Sequence, residues 1–368
     1  MMLEKLALVN FRNYAHLDIE FSPQRNIVVG GNGQGKSNLL ESIYFLSYLR
    51  SRRTARLVDL VGEHAHRASV RGLVTGDGSE AGVKVTFGRG GRVVEVNGQK
   101  VDSGARVKGI LKCVSFDPDD LYLVKGEPGR RREFMDETLG TLGVEGADII
   151  GKYRHVLRQR NAVLKSWEEY GAGLKNAIEP WNQALVSAGA KIVALRMEMM
   201  RTMEEVMERR YAEISGDDNE VRIRYACDFD VEGTPEREIS ERMRKALDSA
   251  LEGEKRERST KVGPHRDDVE ISLGGKESRF RASQGEQRTL AFCMRLAQKE
   301  HIERVTGLKP VMLLDDVLSE LDEERRGRVL EAAGGGNQAI ITATDVPADI
   351  RKAGDRMFVV EKGRASIG

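Results

Sequence analysis

The stretch Gly30-Gly31-Asn32-Gly33-Gln34-Gly35-Lys36-Ser37 could bind nucleotide phosphates, because it fits the pattern G-x-x-x-x-G-K-[ST]. Its glycines let the backbone adopt positive φ angles and bring N–H groups against phosphate oxygens. Lys36 would reach the β- and γ-phosphates, and Ser37 would hold Mg²⁺ through its hydroxyl. The apolar run 26–29 predicts a strand before the loop, and residues 38–49 predict an amphipathic helix after it. This context favours a phosphate site over a mere glycine-rich turn.

Two adjacent acids follow a second apolar run. Residues 310–314 predict a buried strand, and Asp315 and Asp316 come directly after it. Asp315 would bind Mg²⁺ or orient a water molecule bound to it, next to Ser37. Asp316 could be the general base that polarises the attacking water. An acid at a strand end can also cap the next helix, but one cap does not need two acids. Lys36, Asp315 and Asp316 are therefore the predicted catalytic residues.

A third polar segment begins the helix predicted from Gly285 to about Thr306. It consists of Ser283, Gln284, Gly285 and Glu286. A serine hydroxyl and free N–H groups at a helix N-terminus can bind an anion. Ser283 could also be a simple N-cap, so the segment gains meaning only from its place before the acidic strand.

Composition limits the class of protein. Lysine and arginine total 59 against 58 aspartate and glutamate, so any DNA contact would need a local basic patch. The three cysteines, Cys113, Cys227 and Cys293, are far apart and predict core residues in a reducing compartment rather than a metal or redox site. No stretch resembles a signal peptide or a membrane span. We expect a soluble cytoplasmic protein.

The residue pattern predicts one nucleotide-binding domain made from both ends of the chain. Its N-terminal part would be residues 1–128 and its C-terminal part residues 262–368, with a mainly helical domain inserted at 129–261. Period-two alternation in the first part, with the hairpin signal Asn97-Gly98, predicts a small antiparallel sheet. In the last part, further strands are predicted at 269–273 and 338–342.

The inserted part has helical periodicity. Two long helices are expected, with apolar faces at Tyr153, Leu157, Leu164 and Trp167, and at Ile192, Leu195, Met199, Met203 and Val206. The helices should be interrupted between these two segments, at Gly171, Gly173 and Pro180. The methionine stripe at 197, 199, 200, 203 and 207 could be a binding face, but core filling is the favoured interpretation.

The order of these motifs resembles that of the ATP-binding-cassette ATPases. The order is phosphate loop, Ser283 to Glu286, the acid pair, and then Ser319-Glu320-Leu321-Asp322. The resemblance implies an α/β fold, an ABC-type P-loop ATPase head with a mixed sheet, helices and a small antiparallel sheet. It also implies that Ser283 binds the γ-phosphate held by another subunit, and it makes Ser319 and Asp322 interface residues of the D-loop.

Further stretches resemble the RecF family of SMC-like DNA-repair ATPases. They are Leu8 to Tyr14, Leu121 to Gly126, Arg131 to Asp136, Gly263 to Asp268 and Leu314 to Asp322. The resemblance implies an ATP-dependent homodimer that binds duplex DNA and gap junctions with little sequence preference. It implies ATP and Mg²⁺ as cofactors, RecR and RecO as partners, weak DNA-stimulated ATP hydrolysis, and a role with the nucleoid in recombinational repair, replication and the SOS response.

The same resemblance assigns roles at the edges of the nucleotide site. Arg12 would approach the nucleotide, and Thr344 would stand at the switch position that often holds histidine in related ATPases. Asp316 replaces a longer glutamate, so slow turnover is expected. The full predicted ATP-binding set is Arg12, Gly30, Gly31, Asn32, Gly33, Gln34, Gly35, Lys36, Ser37, Asn38 and Thr344. His265 could be a general base, but an ordering role at a domain junction is favoured.

Three groups of basic residues are candidates for DNA binding. They are Arg50, Arg52, Arg53 and Arg56; Arg130, Arg131 and Arg132; and Lys152, Arg154, Arg158 and Arg160. Runs of charged residues often only form the solvent-exposed face of a helix. With no base-reading motif, contacts should be to phosphates.

Two other functions remain open. An ATPase subunit of a membrane transporter shares the phosphate loop, but it would leave the inserted domain and the segments at 10–14 and 263–268 unexplained. A scaffold that binds ATP without hydrolysing it is the second alternative, and the pair Asp315 and Asp316 argues against it.

Overall fold

The chain forms two compact units in a computed structural model. The structure describes residues 1–101, 104, 107, 109–231, 233–317, 323–345, 351 and 354–368. Unit 1 contains Met1–Leu121, Arg209–Asp218 and Gln284–Gly368, and unit 2 contains Tyr122–Glu208 and Asn219–Ser283. One unit is therefore built from both ends of the chain.

The described strands are numbered in chain order. They are β1 (Met2–Phe11), β2 (Tyr14–Glu20), β3 (Arg25–Val29), β4 (Arg67–Gly76), β5 (Ser79–Gly88), β6 (Gly91–Val96), β7 (Gln99–Lys100), β8 (Cys113–Phe116), β9 (Val221–Ala226), β10 (Asp268–Leu273), β11 (Lys276–Glu277), β12 (Val311–Leu314), β13 (Ala339–Ala343), β14 (Arg356–Glu361) and β15 (Arg364–Ile367).

The described α-helices are numbered in the same way. They are α1 (Lys36–Tyr48), α2 (Leu121–Lys125), α3 (Pro128–Leu142), α4 (Val144–Lys165), α5 (Trp167–Tyr170), α6 (Leu174–Ser215), α7 (Glu236–Glu257), α8 (Ser278–Arg281), α9 (Gln284–Thr306) and α10 (Glu323–Gly334).

Unit 1 contains two six-stranded sheets. The first is antiparallel, in the order β2-β1-β4-β5-β6-β7. The second has the order β15-β14-β3-β13-β12-β8, with only β15 antiparallel. Because the other five strands are parallel, the segments that follow β3, β12 and β13 lie at the same edge, which is where open α/β sheets place ligands.

Helix α1 packs against both sheets. Its side chains share one core with residues of β1 and β4 in the first sheet and of β12 and β13 in the second. Leu39, Ile43 and Phe45 are fully buried, and even Glu41 and Ser42 are enclosed. The predicted helix is present, but its predicted amphipathic character was wrong, because a helix that is covered along most of its length has no solvent face.

Unit 2 is helical with a small sheet. Helices α3, α4, α6 and α7 share an apolar core that includes Leu139, Tyr153, Ile192 and Met243. The sheet has the order β11-β10-β9.

The borders of the units differ from the predicted ones at 128/129 and 261/262. Strand β10 pairs with β9 over six positions, from Asp268–Ala226 to Leu273–Val221, and this pairing keeps residues 262–283 in unit 2. The alternating pattern of β9 covers only six residues, and it lies within the range 129–261 that was predicted to be mainly helical.

Helix α6 also departs from the expected pattern. It continues through Pro180, which was expected to break it, because neighbouring Leu174 and Ile178 pack in an apolar cluster with Leu164. Met199, Met203 and Met207 are buried, consistent with core filling, whereas Leu195 is 40% exposed and not on the buried face.

Candidate nucleotide-binding site

The phosphate loop connects β3 to α1, as the motif predicts. A Cβ atom on Gly30 would lie 2.3 Å from the carbonyl oxygen of Val360, so only glycine fits this close approach. Gly35 has a φ of 124°, and a Cβ atom there would lie 2.7 Å from Nδ2 of Asn13. Two of the motif's glycines are thus required by the local packing, whether or not a nucleotide is bound.

The turn between β1 and β2 braces the loop from one side. Nδ2 of Asn13 donates to the carbonyl oxygen of Gln34 at 2.8 Å, and Oδ1 of Asn13 accepts from Nδ2 of Asn38 at 2.9 Å. The buried hydroxyl of Tyr14 donates to the carbonyl oxygen of Gly35 at 3.0 Å. Burial raises the pKa of Tyr14, which keeps its phenol protonated as a donor.

The turn between β14 and β15 braces the loop from the other side. The N–H groups of Lys362 and Gly363 donate to the side-chain and main-chain oxygens of Gln34, at 2.7 and 3.0 Å. Gly363 has a φ of 72°, and a Cβ atom on it would lie 2.0 Å from the carbonyl oxygen of Asn13. Gln34 is therefore held by two hairpins. The family resemblance links the β1–β2 turn to the site through Arg12, whereas no sequence pattern links the β14–β15 hairpin to it.

The polar side chains of the site meet at the carboxyl edge of the parallel sheet. Nζ of Lys36 donates to the carbonyl oxygens of Gly30 and Gly31, at 2.6 and 3.0 Å. Oγ of Ser37 donates to Oδ1 of Asp315 at 3.0 Å, across 278 positions of sequence. The structure thus brings the loop and the acidic strand together as predicted.

Thr342, at the end of β13, joins both acids. Its fully buried hydroxyl donates to Oδ1 of Asp315 at 2.7 Å and accepts from the backbone N–H of Asp316 at 2.9 Å. Thr344, which the family resemblance places at the switch position, is exposed beyond the end of β13. A hydroxyl within the apolar run of β13 was the available signal, because a buried polar group needs a partner.

Asp316 has left-handed backbone geometry. Its φ is 50°, in a region that non-glycine residues seldom adopt, although aspartate tolerates it better than most. The hydrogen bond from its N–H to Thr342 helps to hold this conformation. Such strain, held by surrounding contacts, is typical of functional positions.

Arg12 lies beside α1 and forms a bidentate ion pair with Glu41. Its Nε and Nη2 donate to the two carboxylate oxygens at 2.9 and 2.8 Å, and its Nη1 donates to the carbonyl oxygen of Asp59 at 2.8 Å. Its side chain is 22% exposed. These contacts fix the guanidinium, whose predicted approach to a nucleotide stays a prediction.

The signature segment is at the surface. Ser283, Gln284 and Gly285 are exposed and Glu286 is half-buried, with α9 beginning at Gln284 as predicted within one residue. The predicted interface residues Ser319 and Asp322 lie outside the described residues.

Burial separates the basic candidates for DNA binding. Arg53, Arg56, Arg130, Lys152, Arg154 and Arg158 are exposed, and Arg50 and Arg132 are half-buried. Arg52 pairs with Asp117 and with the fully buried Asp120.

Arg131 and Arg160 are poor candidates for DNA contact. Arg131 is buried and pairs with Asp268 through two bonds of 2.7 and 2.8 Å. Arg160 is fully buried and pairs with Glu254 at 2.6 Å. Moving Arg160 to reach a phosphate would leave the fully buried carboxylate of Glu254 uncompensated, and moving Arg131 would require a buried guanidinium to leave its partner.

His265 has structural partners within unit 2. Its Nδ1 lies 2.7 Å from the hydroxyl of Tyr153, and its Nε2 lies 3.1 Å from the carbonyl oxygen of Thr260. Since the carbonyl can only accept, Nε2 carries the proton and Nδ1 accepts from the phenol. Burial, aided by nearby arginines, lowers the pKa of His265 to about 4.

Comparison with known proteins identifies the family. The model of the RecF/RecN/SMC N terminal domain matches residues 2–366. The DNA replication and repair protein RecF of Streptococcus suis is 35% identical over 368 residues, covering all of this chain and 99% of the relative. RecF of Lactobacillus acidophilus is 34% identical over 373 residues, with the same coverage. The chain belongs to the RecF family.

Solved structures agree with this assignment. Two structures of the recombination mediator protein RecF of the RecFOR pathway, one with ATPrS and one with ATP, have TM-scores of 0.91 and 0.92 and are 34% identical to this RecF family member. They cover all of this chain, and 98% and 97% of their own chains are matched. An Smc head bound to the C-winged helix domain of ScpA, at 17% identity and a TM-score of 0.58, shares the fold. The predicted ABC-type ATPase head is confirmed.

The full-length family match disfavours the transporter alternative. It includes the inserted segment and the stretches at 10–14 and 263–268, which a transporter ATPase would leave unexplained. Among the described helices, none is long and apolar enough to cross a membrane.

Proposed function

We propose that this chain is an ATP-dependent DNA-binding clamp of recombinational repair. It dimerises on ATP, binds duplex DNA and gap junctions, and helps load a recombinase together with RecR and RecO. The proposal is supported by full-length likeness to proteins named for DNA replication and repair and for the RecFOR pathway. The arrangement of Ser37, Asp315 and Thr342 behind a braced phosphate loop carries the nucleotide part.

The loop can bind a triphosphate through its backbone N–H groups and the ammonium group of Lys36. The braces on Gln34 hold the loop main chain in place, so less freedom is lost on binding. Among the described residues, Nζ of Lys36 has two hydrogen-bond acceptors, both carbonyl oxygens of the loop, and phosphate oxygens would be stronger, charged acceptors for it.

The donor set fits Mg²⁺. Ser37 and Asp315 offer a hydroxyl and a carboxylate oxygen, the hard oxygen ligands that this cation prefers. Bound there with ATP, Mg²⁺ would neutralise charge on the β- and γ-phosphates. Thr342 would keep the Asp315 carboxylate oriented through its 2.7 Å hydrogen bond.

Asp316 is the proposed general base. It follows Asp315 directly, and its backbone is fixed in a strained geometry by Thr342. Its carboxylate would orient the attacking water and accept its proton, and the short side chain favours slow hydrolysis. A slow ATPase suits a switch in which ATP binding closes a dimer and hydrolysis reopens it.

Dimerisation is proposed to complete the site. Ser283 and the helix N-terminus beside it are exposed, so they are accessible to the nucleotide of a second copy. In that arrangement ATP is held by Lys36 of one protomer and by Ser283 of the other.

Sedimentation velocity with and without ATP tests this proposal. We expect the wild-type chain to dimerise with ATP, and Lys36→Arg and Ser283→Arg to remain monomeric. Asp316→Asn should still bind ATP and dimerise, but its phosphate release should fall at least about a hundredfold, the lower end of the range for loss of a general base.

Two results would count against the proposal. If the dimer forms equally well without ATP and in both Lys36→Arg and Ser283→Arg, ATP does not control dimerisation. Normal phosphate release by Asp316→Asn removes the base role, and hydrolysis lost together with ATP binding would assign Asp316 to binding instead. Dimerisation without any measurable hydrolysis in the wild type would favour the scaffold alternative.

A further inference from the structure

Phe280 lies on the surface of unit 2, three positions before Ser283. It is 70% exposed, more than any other aromatic side chain in the described part of the chain. Single exposed apolar residues are common on proteins, so exposure alone assigns no role. The residues around Phe280 give it one.

The ring stands among basic side chains at an open cavity. Lys276 and Arg281 are exposed and, with Glu277 and Phe280, line a cavity of about 420 Å³. This volume lies within the range of about 300–1,000 Å³ that small-molecule sites occupy. An aromatic face flanked by cations is suited to a nucleobase and its phosphates.

The ring has a cationic neighbour on its own helix. The Arg279 guanidinium carbon lies 5.3 Å from the centre of the Phe280 ring, and Nη2 of Arg279 donates to Glu127 at 3.2 Å. Both residues of the pair are on α8, whose first residue, Ser278, is fully buried and which packs against β10. The buried start of α8 anchors the backbone that carries the ring, so the backbone loses little freedom when a base stacks on the ring.

We infer that Phe280 stacks on the base of a nucleoside triphosphate held by the phosphate loop of a second copy. The inference rests on the proposed function, in which Ser283 contacts the γ-phosphate of that nucleotide. Three residues of chain span at most about 11 Å, so Phe280 and Ser283 can reach the two ends of one nucleotide.

A single-stranded nucleic acid would be a different ligand for the same ring. Strand binding uses a continuous basic groove with successive aromatic platforms. Here one ring is accompanied by two exposed cations, and Glu277 lines the same cavity. This small, mixed site matches one nucleotide better than a strand.

An ATP titration of dimerisation, followed by sedimentation of the full chain, tests the inference. For Phe280→Ala we expect the half-maximal ATP concentration to rise about tenfold, within the range for loss of one base–aromatic stack. Phe280→Trp should behave like the wild type. Ile367→Ala is the matched control, since Ile367 is equally apolar and 74% exposed, and it should leave the midpoint unchanged.

A stacking signal separates base contact from a general loss of interface area. With 2-aminopurine riboside triphosphate in place of ATP, dimerisation should quench the fluorescence of the wild type, while saturated Phe280→Ala dimers should stay bright. Equal midpoints for Phe280→Ala and wild type, or equal quenching, overturn the inference. A defect confined to binding of a single-stranded oligonucleotide also overturns it and assigns the ring to DNA. Failure of the wild type to dimerise with ATP would instead remove the proposed function itself.

Discussion

At the scale of single residues, Thr342 has two hydrogen-bonding roles, and it shares the first of them, donation to Oδ1 of Asp315, with Ser37. It orients the Asp315 carboxylate and accepts from the strained Asp316 backbone. Thr342→Val keeps the shape and removes both bonds. We expect the free energy of unfolding to fall by about 1–3 kcal/mol, because each of the two half-buried partners loses a hydrogen bond to a buried hydroxyl.

Hydrolysis should fall together with stability in Thr342→Val. Residues that orient a metal ligand typically contribute about 10–100-fold in affinity or activity, so Mg²⁺-dependent phosphate release should drop by that factor. Thr344→Val is the control, because Thr344 is exposed and its loss should change stability by less than about 0.5 kcal/mol. If Thr344→Val alone slowed hydrolysis at unchanged stability, the switch role predicted for Thr344 would be right and the emphasis on Thr342 wrong.

His265 predicts a pH dependence of stability. Its folded pKa of about 4 is below the ordinary 6.5, so the unfolded chain binds the proton more readily and stability falls as pH drops from 6.5 towards 4. Between pH 7.5 and 5 the loss is about 2 kcal/mol. Protonating Nδ1 would also remove the acceptor that Tyr153 uses.

Comparison with His265→Gln isolates this contribution. Burial raises the pKa of both Asp117 and Asp267 to about 6. Their titration therefore makes the folded protein more stable as pH falls, which is opposite to the effect of His265. The wild type and His265→Gln both contain these aspartates. The difference between the free energies of unfolding of the two proteins, measured in urea, therefore cancels the aspartate contribution. We expect the wild type to lose about 2 kcal/mol more than the variant between pH 7.5 and 5. Parallel pH profiles would show that His265 does not titrate in this range.

At the scale of elements, two hairpins position the phosphate loop. The β1–β2 turn holds it through Asn13, and the β14–β15 turn holds it through Lys362 and Gly363. Gly363→Ala tests the second brace, because its Cβ would lie 2.0 Å from the Asn13 carbonyl oxygen at a φ of 72°. We expect lower stability, weaker ATP binding and a displaced Gln34.

Gly78→Ala is the matched control for Gly363→Ala. Gly78 has nearly the same φ, 70°, but no atom lies within 4 Å of its added Cβ. It should therefore suffer only the backbone cost, about 1 kcal/mol, and keep its ATP affinity in a nucleotide titration. Equal ATP affinity for both variants would mean that the β14–β15 turn does not position the loop.

The sequence predicted the parts of the site that local pattern encodes. The loop, its strand and the acid pair each have a recognisable motif with a fixed neighbour. The braces have none, since Asn13 and Lys362 contact Gln34 from 21 and 328 positions away. The same limit explains why β9 was not predicted, since its partner β10 begins more than forty residues later. The pairing of the two strands is also the reason that the observed border of unit 2 differs from the predicted one.

Thr342 was missed for a related reason. A threonine in a strand is ordinary by propensity, and only the pairing of β13 with β12 places it beside Asp315. Burial likewise decided among the basic residues, because a charged side chain such as Arg131 looks like any surface arginine until its partner, Asp268, is known.

At the scale of the whole molecule, the proposed DNA binding needs local basic patches, because the chain as a whole is nearly neutral. Lys152 and Arg158, both on α4, are exposed, and within the described ranges neither forms an ion pair. If these side chains contact phosphates, an ATP-closed dimer doubles their number. Affinity for DNA should then rise with ATP and fall steeply with salt.

A salt titration of binding to gapped and blunt duplexes, with and without ATP, measures this surface. For six neutralised phosphates the slope of log affinity against log salt is about −5, and each lost contact should reduce its magnitude by about 0.9. Lys152→Ala combined with Arg158→Ala should therefore flatten the slope, whereas Arg237→Ala, at a 91% exposed site on α7, should not. If the double variant keeps the wild-type slope, DNA lies elsewhere on the surface. If ATP leaves affinity unchanged, closure of the dimer does not create the DNA site.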